Sequence, residues 1–286
     1  MDKKIIKKKV LLQYDFCSEK YGQDIKDELR AIMMRDFGRH MYIISSVLRY
    51  APLKHHKEIL DVCIGFGVPS RVLRSYGYNI QAIDSEIIGG KDICRITRED
   101  FPLKIVNNIE TEMIPFGKDS FDVILWLATI EHLRDSPKEI MEQFNKILKI
   151  NGILIVDTPN ILSLRNRLML LFGKSFMPPI QFIYYSDYNA SHHREYTLQD
   201  LIKVFKWSKF EIVEAKVLDT ISPISIEKRT PYHKRSLEKG EIYEMTKFKI
   251  GFNFLNIYDW IKLPYSLLVK FFPNLGDTLY IVGRKK

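Results

Sequence analysis

Residues 58–84 carry the arrangement that most restricts what this chain can fold into. A short apolar run at 58–63 (EILDVC) ends at Gly65-Phe66-Gly67. A helix-like stretch at 69–76 follows and stops at Gly77, and a second strand-like run at 79–83 ends at Asp84. Strand, glycine turn, helix and strand in that order make a crossover, which packs when the two strands are parallel and the connection is right-handed. The alternation continues along the chain. Residues 103–109 read as a weak third strand, 121–127 (FDVILWL) as a strong buried one and 152–156 (GILIV) as another, with 210–216 and 278–282 as the last two. Strands separated by helices predict an α/β fold whose seven-stranded sheet is mostly parallel, with helices on both faces.

Two helices carry start signals. Ser136, Pro137 and Glu139 read as a capping box with proline in the first turn, ahead of Ile140, Met141, Phe144, Ile147 and Leu148 at helical spacing, with Gly152 as the stop. Thr197 and Asp200 read as the start of a second helix. Outside the alternation, residues 1–50 predict an N-terminal helical cap. Residues 51–218 form the core, with 160–196 as a lid that includes the amphipathic stretch 161–172. Residues 219–277 read as an insertion that caps the substrate, and 278–286 as the last strand of the core. The aromatic-rich stretch 252–272 has an irregular moment broken by Pro264, which favours closure of a pocket over peripheral membrane contact.

Composition narrows the class. A 46% hydrophobic content supplies a core and excludes a largely disordered chain. Cys17, Cys63 and Cys94 are too few and too scattered for a disulfide framework, which suggests a reducing, cytoplasmic setting. No stretch reaches the ~18 apolar residues that would span a bilayer, and the basic start MDKKIIKKK lacks the apolar region of a signal peptide. The net charge is +9, of which residues 1–10 hold +4 (five Lys against Asp2) and residues 226–250 hold +3 (seven Lys and Arg against four Glu). Basic segments can meet phosphates, yet these lie away from the glycine turn, so nucleic acid is the weaker partner and a small molecule the stronger one.

The turn itself suggests ligand chemistry. Glycines at 65 and 67 let backbone approach a ligand closely. Asp84, 23 residues after Asp61 and at the next strand's end, can accept two hydrogen bonds from ribose hydroxyls. A dinucleotide fingerprint would need a third glycine where Ser70 stands, so a nicotinamide enzyme fits less well. Each acidic residue taken singly is also compatible with a turn that satisfies local backbone donors.

At this point the chain resembles the class I S-adenosylmethionine-dependent methyltransferases, whose fold is Rossmann-like. ILDVCIGFG resembles the family's first motif, IQAID the second, and ETEMIPF the segment beside the adenine, followed by DSFDVILWLATIEHL. KEIMEQFNKILKINGILIVDTPN resembles the helix and fifth strand, and HHREYTLQDLIKVFKWSKFEIVEA a block found in a subset acting on small molecules and sugars. The resemblance covers 58–217 and resumes at the final strand. It implies S-adenosylmethionine as cofactor. Asp61 would lie near the methionine amino group, Gly65 and Gly67 against the methionine portion, Asp84 on the ribose, Glu110 and the Thr111 backbone at the adenine, and Leu127 beneath. Cys63 stands at the first glycine position of the motif, where its side chain would either crowd the methionine end or be absorbed by a backbone shift. Lys209 replaces a glycine before the sixth strand. The implied activity is methyl transfer to an O or N of a small metabolite, sugar or glycan precursor. A nucleic-acid methyltransferase and a degenerate, non-catalytic subunit are the alternatives.

His132 follows the 121–127 strand, where a ligand crevice opens in such sheets, and is the first candidate for general base. His193, on the loop before Thr197, is the second, with Glu131 as a further catalytic candidate. Glu131, His132, His193 and Asp157 show no metal-ligand spacing, so no metal is expected.

Overall fold

The computed structural model describes residues 2–21, 26–86, 91–177, 184, 192–219 and 271–286. Three helices open the chain: α1 (Lys3–Tyr21), α2 (Lys26–Arg35) and α3 (Phe37–Tyr50). Then come β1 (Glu58–Val62), α4 (Val68–Arg74), β2 (Asn79–Asp84), α5 (Lys91–Asp100), β3 (Leu103–Ile105), β4 (Phe121–Leu127), α6 (Lys138–Ile147), β5 (Leu148–Pro159), α7 (Leu164–Leu171), α8 (Leu198–Trp207), β6 (Phe210–Leu218) and β7 (Thr278–Lys285). The sheet runs β3-β2-β1-β4-β5-β7-β6. Every pairing among β1 to β5 is parallel, and β7 runs antiparallel to both β5 and β6. The expected α/β sheet, mostly parallel and seven-stranded, is present.

Strand alternation divides the core into two layers. Ile59, Val123, Leu125, Ile153, Ile155, Tyr280 and Val282 face one side and pack with Ile6, Val10 and Tyr14 of α1, Ile43 and Val47 of α3, and Val72 of α4. Leu60, Val62, Ile124, Trp126, Leu154, Val156 and Ile281 face the other and pack with Ile140, Met141 and Phe144 of α6 and Leu201 and Phe205 of α8. Successive side chains of a strand point to opposite faces, so a strand covered on both faces is apolar throughout. α1 fits the first layer despite its lysines because Ile6, Val10, Tyr14 and Cys17 fall on one helical stripe, buried to 2% exposure or less.

Several local readings change. The Ser136 capping box does not form: α6 begins at Lys138 with Pro137 at its cap position, and Ser136 Oγ accepts only the Lys138 N–H, at 3.3 Å. Gly152 does not end that helix. The chain turns into β5 at Leu148 instead, and Gly152 lies inside the strand at an irregular step, where Phe121 pairs with Leu148 but Val123 with Ile153. A Cβ on Gly152 would stand 2.8 Å from the Lys149 carbonyl and 3.2 Å from that of Asp122, so close backbone approach explains the glycine. β3 stops at Ile105, short of the expected 109, because Asn108 takes the chain into a turn: its Oδ1 accepts the Glu110 N–H at 2.9 Å. The Thr197 capping box forms as expected. Thr197 Oγ1 accepts the Asp200 N–H at 3.1 Å and Asp200 Oδ2 accepts the Thr197 N–H at 3.2 Å. Lys209, at its glycine-like position, does adopt a left-handed φ of 64°. Most of the insertion at 219–277, nearly all of 252–272 and most of the lid between 178 and 191 lie outside the described residues.

Candidate active site

β1 is flanked by β2 and β4, so the chain leaves β1 in one direction and returns on its other side at β4. A crevice opens at the carboxyl ends of strands at such a reversal. Both halves of the site lie along it.

The first half is built at the ends of β1 and β2. Asp61 is 3% exposed and its Oδ2 accepts the Ser70 hydroxyl at 2.5 Å. Burial pushes its carboxyl up to about 7, with nearby Asp84 adding to the rise and Ser70 opposing it. Asp84 is 6% exposed and accepts the backbone N–H groups of Gly65 at 2.9 Å and Ser85 at 2.8 Å. Its carboxyl is also raised, by burial against those two hydrogen bonds. Between the two carboxylates runs a turn with left-handed φ at Cys63 (58°), Gly65 (51°) and Gly67 (61°). The two glycines serve different ends. A Cβ on Gly65 would meet nothing within 4 Å, so open space borders the backbone there. A Cβ on Gly67 would lie 2.9 Å from Ile64 Cγ1, which makes this glycine a packing requirement. Cys63 takes the strained conformation itself, at a cost of roughly 1–2 kcal/mol, and its side chain packs against the second core layer. Burial raises its thiol well above the usual range, so it is an inert thiol.

Glu110 and Thr111 follow β3. Glu110 Oε1 accepts the N–H groups of Arg134 at 2.8 Å and Asp135 at 2.7 Å, which ties this segment to the loop after β4. Thr111 is exposed, and its N–H donates to the Asn108 carbonyl at 3.2 Å, within the turn. Leu127 ends β4, half-buried and opposite Asp157 of β5.

The second half is a cleft of about 350 Å³ at the ends of β4 and β5, bordered by α2 and α3 and by Thr278 of β7. Glu131 and His132 line it from a short 3-10 turn, Ile130–His132, that follows β4. Glu131 is 1% exposed and its Oε2 accepts the Thr158 hydroxyl at 2.9 Å. Burial lifts its carboxyl to about 7, against the effects of its own backbone N–H, His192 and Thr158. The histidine that joins them is His192. It lines the cleft, its ring centroid is 4.9 Å from that of His132, and its Nδ1 is 3.0 Å from Glu195 Oε1. Burial disfavours its charged form, but Glu195 and Glu131 outweigh this and raise its pKa. His193, the residue singled out from the sequence, is exposed and does not line the cleft. Its backbone N–H donates to the Glu131 carbonyl at 2.8 Å, which turns the neighbouring ring inward. One ligand-type atom from each of Glu131, His132 and His192 lies within 4.8 Å of the others, so the set absent from the local spacing is assembled by the fold.

The helices expected within residues 1–50 also supply the cleft, through a residue that no sequence motif marked. Arg39 reaches the floor of the cleft, its Nη2 3.2 Å from Asp36 Oδ1 and its Nε 3.4 Å from the fully buried Asp157 Oδ2. The latter pair is held by charge without an aligned hydrogen bond, since neither atom has a hydrogen-bond partner among the described residues. Nothing in the local pattern of α3 marks Arg39 as different from any other helical arginine.

Against this geometry, residues 37–215 match the model of a family described as a methyltransferase domain. The chain belongs to this family. Among curated relatives it is 33% identical over 134 residues to a ubiquinone biosynthesis O-methyltransferase of Rickettsia typhi (46% of this chain, 51% of that one). It is 26% identical over 127 residues to one of Actinobacillus pleuropneumoniae (42% and 53%). The chain therefore spans about half the length of the curated relatives it matches. Solved structures share the fold at lower identity. They include a SAM-dependent methyltransferase from Archaeoglobus fulgidus (TM-score 0.52, 15% identity, 89% of this chain and 99% of that one) and an S-adenosylmethionine-dependent methyltransferase from Mesorhizobium loti (TM-score 0.52, 13% identity, 86% and 97%). S-adenosylmethionine is the cofactor this domain implies, and the first half of the site suits it. Two buried carboxylates flank the glycine turn, and among the described residues no cation pairs with either, which leaves room for a cationic ligand.

Proposed function

We propose that this protein is an S-adenosylmethionine-dependent O-methyltransferase acting on a hydroxyl of a small organic acceptor. The observation that carries this reading is the adjacency of the two half-sites. The carboxylate-lined turn at β1 and β2 lies next to a cleft at β4 and β5 whose polar groups, Glu131, His132 and His192, can hold and deprotonate a hydroxyl. The names of the curated relatives support oxygen over nitrogen as the methylated atom.

When bound, the cofactor supplies an electrophilic methyl on a good leaving group, so positioning carries much of the rate. Asp84 would hold the ribose hydroxyls while keeping the Gly65 N–H, and Asp61 would face the amino end. Glu131, fixed by Thr158, and the two imidazoles would orient the acceptor hydroxyl and take its proton as the oxygen attacks. Arg39 and Asp157 set the cleft floor and fix α3 against β5.

The test is direct. Calorimetry with S-adenosylmethionine should give saturable one-site binding. Incubation with labelled cofactor and a panel of phenols, catechols and sugars should yield O-methyl ethers, and His132→Ala should lower turnover at least ~10²-fold with cofactor affinity nearly unchanged. No cofactor binding, or transfer only to nitrogen or to RNA, would overturn the reading.

A further inference from the structure

We propose that Arg71, Tyr21 and Thr97 are positioning residues for the cofactor, a relay of hydrogen bonds behind the donor turn that fixes Gly65 beside Asp84 and ties the end of α1 to cofactor affinity. The inference deepens the reading above and rests on its placement of S-adenosylmethionine at this turn.

Gly65 needs such a device. It holds a left-handed φ of 51°, and no atom beyond its chain neighbours lies within 4 Å of where a Cβ would stand. Packing on that side therefore does not fix it, and a glycine leaves this conformation easily. Hydrogen bonds hold it instead. In front, its N–H donates to Asp84 Oδ2 at 2.9 Å. Behind, its carbonyl accepts the hydroxyl of the fully buried Thr97, on α5, at 3.3 Å. The next carbonyl, of Phe66, accepts the Arg71 Nε–H at 3.0 Å and the Cys17 thiol at 3.7 Å.

The direction of each proton in the relay is determined. A carbonyl can only accept, so Thr97 gives its single hydroxyl hydrogen to Gly65. Tyr21 Oη, 3.2 Å from Thr97 Oγ1, must then be the donor of that pair. Its own oxygen accepts the Arg71 Nη2–H at 2.8 Å. The chain of donors runs from Arg71 through Tyr21 and Thr97 to Gly65, and bonds in such a chain polarise and strengthen one another. Its cationic end is buried and anchored: Arg71 Nη1 donates to Asp100 Oδ2 at 2.8 Å, and the rings of Phe16 and Phe101 each lie 5.0 Å from Cζ.

Three helices meet here. Arg71 is on α4, Thr97 and Asp100 are on α5, and Tyr21 is the last residue of α1, its ring 5.3 Å from that of Phe66. Lys20 Nζ adds contacts of 2.7 Å to Asp100 Oδ2 and 3.3 Å to Glu99 Oε2. Undocking α1 removes the Tyr21 link, the Cys17 thiol and the Lys20 pairs together, while Asp61 and Asp84 stay on their own strands. Coupling of this kind is reciprocal: what docked α1 adds to cofactor affinity, bound cofactor adds to the docking of α1.

Calorimetry with S-adenosylmethionine on the full chain compares the wild type with Tyr21→Phe, which keeps the ring and removes the hydroxyl, and Thr97→Val, which keeps the shape and removes the donor. Each should weaken binding ~5–10-fold, and Thr97→Ser should restore it. Tyr42→Phe removes another half-buried hydroxyl, one that donates to Glu214 at 2.7 Å away from the turn, and should leave affinity unchanged whatever it does to the melting temperature. Saturating cofactor should slow amide exchange over residues 10–21 in the wild type, and less so in Thr97→Val. Wild-type affinity in Tyr21→Phe and Thr97→Val overturns the proposal. So does equal weakening by Tyr42→Phe, or exchange over 10–21 that the cofactor leaves unchanged. A wild type that binds no cofactor overturns both the relay and the reading beneath it. Binding weakened in Thr97→Val and restored in Thr97→Ser, with no methyl transfer to any hydroxyl, upholds the relay and defeats the O-methyltransferase reading alone.

Discussion

Acidification should expose one buried histidine. His40 lies on α3, 8% exposed, 2.8 Å through Nδ1 from the hydroxyl of the buried Tyr14 on α1. Burial lowers its pKa from 6.5 to about 3, with Arg39 adding to the effect and Asp36 opposing it. In the unfolded chain the ring charges below about 6.5, whereas in the folded protein it stays neutral down to about pH 3. Its contribution to stability is therefore complete above pH 6.5 and is lost as pH falls from there towards 3. At pH 5 the unfolded ring has gained about 1.5 pH units of protonation free energy, roughly 2 kcal/mol at 1.36 kcal/mol per unit. Asp61 and Glu131, raised to about 7, pull the other way, since the folded state keeps their protons between about pH 4 and 7. The wild-type profile alone thus mixes both signs, and the comparison has to be with His40→Gln, which keeps an acceptor for Tyr14 but cannot titrate. Urea unfolding of both proteins from pH 7.5 to 5 should show the wild type losing ~2 kcal/mol relative to the variant. The offset between them at pH 7.5 reports packing and is not the readout. If the two profiles stay parallel within ~0.5 kcal/mol, His40 either charges in the folded state or is reached by water, and the contact of α1 with α3 does not hold the ring neutral.

Three substitutions at the donor turn separate ligand contact from packing. Asp84→Ala should weaken S-adenosylmethionine ~10–100-fold by calorimetry, because charge-assisted bonds worth ~1.5–3 kcal/mol are lost; unchanged affinity would mean that the ribose lies elsewhere. Gly67→Ala should lower the melting temperature, with overpacking and left-handed strain together costing ~1–3 kcal/mol, since its Cβ would meet Ile64 at 2.9 Å. Gly65→Ala, at a φ of 51° with open space beside it, should cost only about 1 kcal/mol of stability yet at least ~10-fold in cofactor affinity. A reversal of these two phenotypes would exchange the roles assigned to the glycines.

Much of this architecture was legible because it depends on short-range repetition. Apolar runs such as 121–127 announce strands covered on both faces, and Thr197 with Asp200 announces a helix start, because those preferences act over three or four residues. The misread points are places where a neighbouring or a distant group competed for the same position. Gly152 looks like a helix stop and is instead where β5 passes the Asp122 carbonyl. Ser136 loses its cap when Pro137 takes the position, and Asn108 ends β3 early by accepting the Glu110 N–H.

By itself the sequence determined the alternation of strands and helices, the glycine turn with Asp61 and Asp84 at successive strand ends, and the presence of Glu131 and His132 just past β4. It could not decide between His192 and His193, which are adjacent and identical. That choice follows from the bond between the His193 N–H and the Glu131 carbonyl, across 62 positions of chain, which turns one ring into the cleft and leaves the other outside. The approach of Arg39 to Asp157, and the gathering of Glu131, His132 and His192 within 4.8 Å, likewise belong to tertiary structure. Local propensities set which element a residue joins. Which way its side chain points at an element's end is set by the packing of layers far apart in sequence, and the cleft is made of such ends.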